Sequence, residues 1–234
     1  EDSDVYRFAS ASDIAADIIT DTGTVGSDII FMDAAGDFSL AGLSVSGIEG
    51  LKFYQGVGTQ TLTISKAQAS LYTDFIGYAG ATDTVAVTGV TSSLDMNSGK
   101  TYTNIAKVSI DASSASSSVT LTGVSSVSNT ITGGSGNDTL YGGLDGDYLD
   151  GGTGTNRVDY SAETSDVSIN LTTSKANYTA TPLVYDTLLT LQNATSGSGN
   201  DTLVGKSSTV NILKGGLGND TLTGNFDGDT LDGE

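Results

Sequence analysis

The sequence predicts an all-β protein built from many short strands, and three observations support this. Apolar residues almost never recur at helical spacing, whereas brief alternating segments, such as Thr61 to Ile64 and Val119 to Thr122, lie between clusters of Gly, Ser, Asn and Asp. The chain has 31 glycines and 1 proline among its 234 residues, as expected where turns are frequent. The third observation is a nine-residue period in the second half, which indicates a repeat architecture.

The composition excludes several classes of function. The chain has no His and no Cys, so it can build neither a Cys/His zinc site, nor a Ser-His-Asp triad, nor a thiol nucleophile. Its 28 acidic and 9 basic residues give a formal charge of −19, which disfavours nucleic acid and anionic membrane surfaces as partners. No apolar run approaches the ~20 residues of a membrane span. Cations are therefore the expected partners.

The absence of Cys and the two ends of the chain suggest a segment of a bacterial protein that folds without disulfide formation. A chain without Cys needs no disulfide formation, so another kind of staple must stabilise it. The first residue is Glu1, no signal peptide is evident, and the repeats stop in mid-pattern at Glu234. We therefore expect a processed or excised segment of a larger protein.

Residues 1–122 are predicted to form irregular coils of a β-solenoid. A short helix is expected from Lys66 to Leu71, and Asp13 to Ile19 is interpreted as a strand. Several early aspartates either form a further metal site or are solvated turn residues, and these are Asp13, Asp17, Asp21, Asp28 and Asp33.

Residues 123–234 contain the repeats in two arrays, 123–159 and 196–232. The complete and near-complete nine-residue copies are Gly133–Tyr141 (GGSGNDTLY), Gly142–Asp150 (GGLDGDYLD), Gly151–Asp159 (GGTGTNRVD), Ser196–Val204 (SGSGNDTLV), Gly215–Thr223 (GGLGNDTLT) and Gly224–Asp232 (GNFDGDTLD). Ten-residue variants cover Gly123–Thr132 and Gly205–Lys214. Residues 160–195, which contain Pro182, are either an enlarged coil or a lateral insertion.

The repeat combines residue types that suit one kind of metal ion. Glycines at positions one, two and four allow positive φ and a backbone tight enough to turn carbonyl oxygens inward. An Asp or Asn at position six adds a side-chain oxygen at the same place. Oxygen-only ligands favour Ca²⁺ over Mg²⁺ and over transition metals. The apolar residue at position eight is expected in a narrow core, as in Leu140, Leu149, Val158, Leu203, Leu213, Leu222 and Leu231.

These residues resemble the RTX, or haemolysin-type, calcium-binding repeat family, whose nonapeptide is G-G-x-G-x-D-x-U-x. Gly133–Tyr141 and Gly215–Thr223 match it in full, and the resemblance extends over residues 123–232. It implies a right-handed parallel β-roll or β-helix in which two repeats make one coil. It also implies Ca²⁺ between turns stacked one coil apart, so that each repeat faces the second repeat after it. The first half is similar to the degenerate flanking coils of that family.

The resemblance also implies a ligand set. The implied position-six pairs are Asp138 with Asn156, Asn129 with Asp147, Asp201 with Asp220, and Asn211 with Asp229. The implied carbonyl ligands are those of Gly134, Gly136, Gly216 and Gly218. Asn at position six lowers the charge of a site, so mixed pairs are expected to bind more weakly than Asp201 with Asp220.

The predicted function is structural and not catalytic. A glycosidase-type carboxylate pair needs one acid held protonated in an apolar pocket, and most acids here lie in turns. We expect a calcium-dependent module of a secreted or cell-surface bacterial protein of the surface-layer (S-layer) or adhesin type. The alternative is the non-catalytic RTX module of a toxin or hydrolase exported by type I secretion. Expected partners are calcium ions, further copies in a surface lattice, or a cell-surface glycan.

Overall fold

The computed structural model describes residues 3–8, 18–20, 28–32, 37–40, 43–53, 59–143, 145–179 and 184–233. Among these residues the regular structure is almost entirely β, and the single helix is α1 (Lys66–Ala69). The chain forms two compact units, one within residues 1–90 and 96–109 and the other within residues 91–95 and 110–234. Strand β12 (Ile105–Asp111) contains the boundary between them.

The first unit consists of short strands in parallel sheets. Its strands are β1 (Val5–Phe8), β2 (Ile18–Thr20), β3 (Ile29–Met32), β4 (Phe38–Ser39), β5 (Ser44–Ser46), β6 (Gly50–Lys52), β7 (Thr61–Ser65), β8 (Asp74–Ile76), β9 (Asp83–Thr88) and β11 (Thr101–Thr103). One sheet has the order β1-β3-β6-β8-β11, a second contains β4-β7-β9, and a third pairs β2 with β5. The chain therefore visits up to three faces in each coil.

The coils of the first unit are long and unequal. Val5 lies beside Ile29, Ile29 beside Gly50 and Gly50 beside Asp74, so that successive coils contain 24, 21 and 24 residues. The predicted helix is present as α1, where Ser65 caps the N-terminus and Gln68 completes a capping box. Of the predicted strand from Asp13 to Ile19, residues 13–17 lie outside the described residues, and β2 begins at Ile18.

The second unit is a two-sheet roll. Its strands are β10 (Leu94–Asp95), β13 (Thr120–Thr122), β14 (Ser128–Thr132), β15 (Thr139–Tyr141), β16 (Tyr148–Asp150), β17 (Asn156–Asp159), β18 (Val167–Asn170), β19 (Lys175–Tyr178), β20 (Tyr185–Leu189), β21 (Leu191–Thr195), β22 (Thr202–Val204), β23 (Ile212–Lys214), β24 (Thr221–Thr223) and β25 (Thr230–Asp232). Sheet I has the order β10-β13-β15-β17-β21-β23-β25, and sheet II contains β14-β16-β20-β19-β18-β22-β24.

The register of the roll follows the repeat length. Thr130 lies beside Tyr148 and Ile212 beside Thr230, 18 residues apart, whereas Thr202 lies beside Thr221, 19 residues apart. Two nine-residue repeats make one coil, and one ten-residue variant adds a residue. The predicted all-β fold with stacked parallel strands is confirmed.

The core of the roll is one residue wide on each sheet. Position eight supplies it, and Leu140, Leu149, Val158, Leu203 and Leu213 are all completely buried as predicted. Leu231 is 47% exposed and Leu222 is half-buried. Strands β24 and β25 are the outermost strands of their sheets, so their side chains are covered from one side only.

Residues 160–195 add an antiparallel excursion to sheet II. Strand β19 pairs antiparallel with both β18 and β20, while β20 pairs parallel with β16 and β18 pairs parallel with β22. The link from β18 to β19 is a tight turn at residues 171–174, and a turn of that length can join only antiparallel neighbours. Residues 160–195 therefore contribute three strands to sheet II and one strand, β21, to sheet I.

Candidate metal centre

The repeat turns lie along two edges of the roll. Edge one contains the turns that lead from sheet I to sheet II, and edge two contains the turns that lead back. The repeat turns of edge one are residues 123–127, 142–147, 196–201 and 215–220. Those of edge two are residues 133–138, 151–156, 205–211 and 224–229.

The structure brings together all four of the predicted position-six pairs. In each pair the backbone N–H of one residue donates to the side-chain Oδ1 of the residue one coil further on. The N–O distances are 2.6 Å for Asn129 to Asp147, 2.8 Å for Asp138 to Asn156, 2.9 Å for Asp201 to Asp220, and 2.7 Å for Asn211 to Asp229. Position-six side chains therefore stack in columns along both edges, and neighbours within a column are spaced by about one strand separation of ~4.8 Å.

Glycine at position one makes room for the position-six side chain. A Cβ built on Gly133 would lie 2.6 Å from Oδ2 of Asp138, and Cβ atoms on Gly142 or Gly215 would overlap the carboxylates of Asp147 or Asp220. Positive φ was expected at these glycines, but they are not among the residues with positive φ. Their requirement is steric, because the side chain folds back over its own turn.

Glycine at positions two and four allows the turns to stack. A Cβ on Gly152 would overlap the carbonyl oxygen of Gly134, and one on Gly154 would overlap that of Gly136. The carbonyls of Gly134 and Gly136 therefore point along the roll axis at the next coil, and that of Gly134 accepts a hydrogen bond from the Thr153 N–H at 2.9 Å. Gly216 and Gly218 have positive φ of 80° and 129°, as the sequence predicts, whereas Gly134 and Gly136 are not among the residues with positive φ.

Buried carboxylate oxygens without hydrogen-bond partners mark edge one. Asp147 and Asp201 are 2% and 1% exposed, and among the described residues Oδ2 of Asp147, Asp201 and Asp220 finds no hydrogen-bond donor. Burial is the main influence on Asp201 and raises its pKa, against the smaller lowering effects of the Val167 N–H, the Ser196 hydroxyl and the Gly197 N–H. A buried oxygen with this charge requires a proton or a cation.

Asp186, which the sequence analysis missed, continues the column of edge one. The N–H of Asp147 donates to Oδ1 of Asp186 at 2.8 Å, and the Tyr160 hydroxyl donates to its Oδ2 at 2.5 Å. Burial, followed by the charge of Asp186, raises the pKa of Asp147 to about 7, and burial also raises the pKa of Asp186. The available signal was the triplet Asp186-Thr187-Leu188, which repeats the Asp-Thr-Leu of Asp138, Asp201 and Asp220 without the preceding glycines.

Asp83 in the first unit has a similar turn geometry. Asp83 is fully buried, and its carboxylate accepts from the N–H of Gln60 at 3.2 Å and of Tyr78 at 2.9 Å. Asp138 accepts in the same way from Val119 and Gly134. Of the five early aspartates, Asp28 is buried and accepts from the Asp4 N–H at 2.7 Å, whereas Asp13, Asp17, Asp21 and Asp33 lie outside the described residues.

A family model described as RTX calcium-binding nonapeptide repeat (4 copies) matches residues 125–158 and 207–234. No curated protein matches the chain. The fold and the stacked turns define a parallel β-roll of the calcium-binding class. The matched segments are similar to RTX calcium-binding repeats, which bind Ca²⁺ as structural, non-catalytic modules and are typical of secreted proteins.

The residues present fit calcium. The available ligands are carboxylate, amide and carbonyl oxygens, and bound Ca²⁺ would supply the positive charge that the buried Oδ2 atoms require. The described residues contain no group of three or more His, Cys, Asp or Glu side chains placed to hold a metal. In the same part of the chain, no helix is long and apolar enough to span a membrane.

We expect the sites to discriminate strongly between divalent cations. Backbone carbonyls in a stacked turn suit the larger, irregular shell of Ca²⁺, whereas Mg²⁺ demands a small octahedral shell and gives up water reluctantly. Luminescence of Tb³⁺ bound to the full chain should be displaced by Ca²⁺. Displacement by equimolar Mg²⁺ would contradict this prediction.

Proposed function

We propose that this chain is a calcium-dependent structural module of a secreted or cell-surface bacterial protein of the surface-layer or adhesin type, and that calcium drives its folding outside the cell. The observation that supports this proposal most directly is the column of buried carboxylates on edge one, in which Asp147 and Asp186 are direct neighbours. Two adjacent buried carboxylates repel one another until a proton or a cation neutralises them.

If calcium is the cation that neutralises these carboxylates, the chain folds after export. Sub-micromolar calcium in the producing cell leaves weak sites empty, whereas about millimolar calcium outside fills sites with dissociation constants of 10⁻⁴–10⁻³ M, the range of extracellular modules. The resemblance to RTX proteins is consistent with export by type I secretion. Since the chain has no Cys, bound calcium takes the stabilising role that disulfides have in other extracellular proteins.

The ligand scheme is tested by alanine substitution at two position-six residues. Asp220→Ala should weaken Ca²⁺ binding more than Asn156→Ala, because it removes a charge and an unpartnered buried oxygen. Isothermal titration of both variants against the unchanged chain measures the difference. Equal small losses in the two variants would rule out the stacking scheme.

The oligomeric state of the chain in calcium distinguishes a role in a surface lattice from a role as the carrier module of a toxin or hydrolase. The acidic, Cys-free composition with many small residues supports a surface-layer or adhesin role. We expect the calcium-loaded chain to associate into ordered sheets or filaments, visible by sedimentation and electron microscopy, and to disperse in chelator. A chain that stays monomeric at all calcium concentrations would instead favour the carrier module of a toxin or hydrolase.

A further inference from the structure

Two adjoining cavities lie on the outer face of sheet I. The first, of about 200 Å³, is lined by side chains of β15, β17, β21 and β23 and, at edge two, by Asn137 and Thr155. The second, of about 270 Å³, reaches edge one, where residues 196–198 line it. Thr195 and Lys214 line both cavities. Together the cavities form one open groove across the sheet, which we call the sheet I groove.

The sheet I groove concentrates positive charge in an acidic part of the chain. Residues 110–234 contain 15 acidic and 4 basic residues, and two of those four, Arg157 and Lys214, line the first cavity. Position seven of the repeat is threonine in both complete copies, at Thr139 and Thr221, and arginine at Arg157. Two cationic side chains in one cavity favour an anionic ligand.

Arg157 has no carboxylate partner within the described ranges. Its guanidinium makes one hydrogen bond there, a long one of 3.4 Å from Nη2 to Oγ1 of Thr139, and no ion pair. Its Nε is buried and donates to no described group, and Oγ1 of Thr195 in the same cavity is also buried without a partner among these residues. A ligand that bonds to such atoms removes the cost of leaving them unsatisfied.

A β-bulge in strand β21 lies beside this arginine. The pairing of β17 with β21 shifts register between Asn156 and Arg157, and Gln192 is the extra residue. Bulges redirect side chains and are frequent beside binding sites. On the same strand the nearly buried Asn193 accepts from the Ile212 N–H at 2.8 Å, which leaves its Nδ2 without a hydrogen bond to the described part of the chain. That amide is therefore a further donor at the first cavity.

The nearby carboxylates leave both cations available. Nζ of Lys214 lies 3.7 Å from Oδ2 of Asp232, and the two side chains are 48% and 41% exposed. A surface ion pair of this kind contributes little and is screened by salt. Asp138 also lines the first cavity, but its carboxylate accepts from the N–H groups of Val119 at 2.9 Å and Gly134 at 2.8 Å.

The lining of the groove favours a saccharide over a peptide. Strands β17, β21 and β23 each have neighbours on both sides, so the groove offers an extended peptide no open backbone edge. The uncharged lining groups include the hydroxyls and amides of Asn137, Thr155, Asn193 and Thr195 and one apolar side chain, Ile212. Hydroxyls and amides can donate to and accept from sugar hydroxyls, and an apolar side chain suits the face of a sugar ring.

We infer that the sheet I groove binds an acidic saccharide, whose carboxylate pairs with Arg157 and Lys214 while its ring hydroxyls bond to the surrounding amides and hydroxyls. The two oxygens of a carboxylate match the parallel N–H groups of a guanidinium. This inference rests on the proposed surface role, because it assigns a chemical class of ligand to the adhesin type of function.

The first test uses a glucuronate-containing tetrasaccharide and its methyl ester, which has the same rings and hydroxyls without the charge. Binding to the full chain is measured by isothermal titration and saturation-transfer NMR at a fixed free concentration of Ca²⁺, because carboxylates themselves bind the ion. The acid is expected to bind, and the ester to bind about tenfold more weakly or less, since the charge-assisted hydrogen bonds are lost.

Substitution of single cations locates the site. Arg157→Gln should weaken binding of the acid by about tenfold or more, and Lys214→Gln should weaken it less, because Lys214 is shared with Asp232. Lys206→Gln removes the same charge from the same array outside both cavities, so it should retain the affinity of the unchanged chain. Circular dichroism in saturating Ca²⁺ verifies that each variant is folded.

Three results would overturn the inference. Equal losses in Arg157→Gln and Lys206→Gln would reduce the effect to general charge attraction, and equal binding of acid and ester would remove the carboxylate from the site. A tetra-aspartate peptide that binds as tightly as the tetrasaccharide would exclude a saccharide site. A chain that does not fold with Ca²⁺ would instead contradict the proposed function, and circular dichroism measures this without any saccharide.

Discussion

Removal of calcium is expected to unfold the roll of residues 110–233. At a dissociation constant of ~100 µM per site, ~1 mM Ca²⁺ stabilises the fold by RT ln(1 + 10), or about 1.4 kcal/mol for each site. Three or four independent sites give about 4–6 kcal/mol, which is comparable to the total stability of an ordinary domain. At sub-micromolar calcium the same expression gives about zero.

The measurement is far-ultraviolet circular dichroism with hydrodynamic radius during a Ca²⁺ titration, followed by excess chelator. Solenoid coils stabilise their neighbours, so the transition should be cooperative along the roll. Titration with Mg²⁺ at equal ionic strength is the control for general screening of the −19 net charge. A β-type spectrum and a small hydrodynamic radius in excess chelator, both unchanged by Ca²⁺, would show that the fold forms without calcium.

The second large effect is expected from one glycine. Gly216 has φ of 80°, and an added Cβ would overlap the carbonyl oxygen of Gly197 in the coil below. Gly216→Ala therefore combines a left-handed backbone, which costs ~1–2 kcal/mol for an alanine, with a clash against backbone that cannot move without separating the coils. We expect a loss of about 2–5 kcal/mol in calcium-saturated stability, measured by urea unfolding.

Gly228 is the matched control in the same array. It has φ of 93°, but the nearest atom to an added Cβ is Cγ2 of Val210 at 3.7 Å, an ordinary contact. Gly228→Ala should therefore cost only the backbone conformation, ~1–2 kcal/mol. Equal losses in the two variants would show that turn stacking does not depend on the absence of a side chain at position two.

Much of the roll follows from the sequence because the repeat is local and regular. A nine-residue period with one apolar side chain per copy permits only a short strand and a tight turn, and two copies per coil place Asn129 beside Asp147 and Asp201 beside Asp220. Oxygen-only side chains at position six indicate Ca²⁺ without knowledge of the fold. The core positions Leu140, Leu149, Val158, Leu203 and Leu213 follow from the same period.

Only the tertiary structure decided which side chains complete the columns. Asp186 lies beside Asp147 although 39 residues separate them, and Gln192 lies beside Asn156 across 36 residues. The place of Asp186 depends on how the antiparallel strands join sheet II, and that of Gln192 depends on the pairing of β17 with β21 in sheet I. Neither pairing is set by the nine-residue period. The steric requirement for glycine at position one was also not evident from the sequence. The space that a Cβ would occupy there is taken by the carboxylate five residues later. Local pattern therefore determined the coil and its chemistry, while long-range strand pairing determined which oxygens are left without a donor.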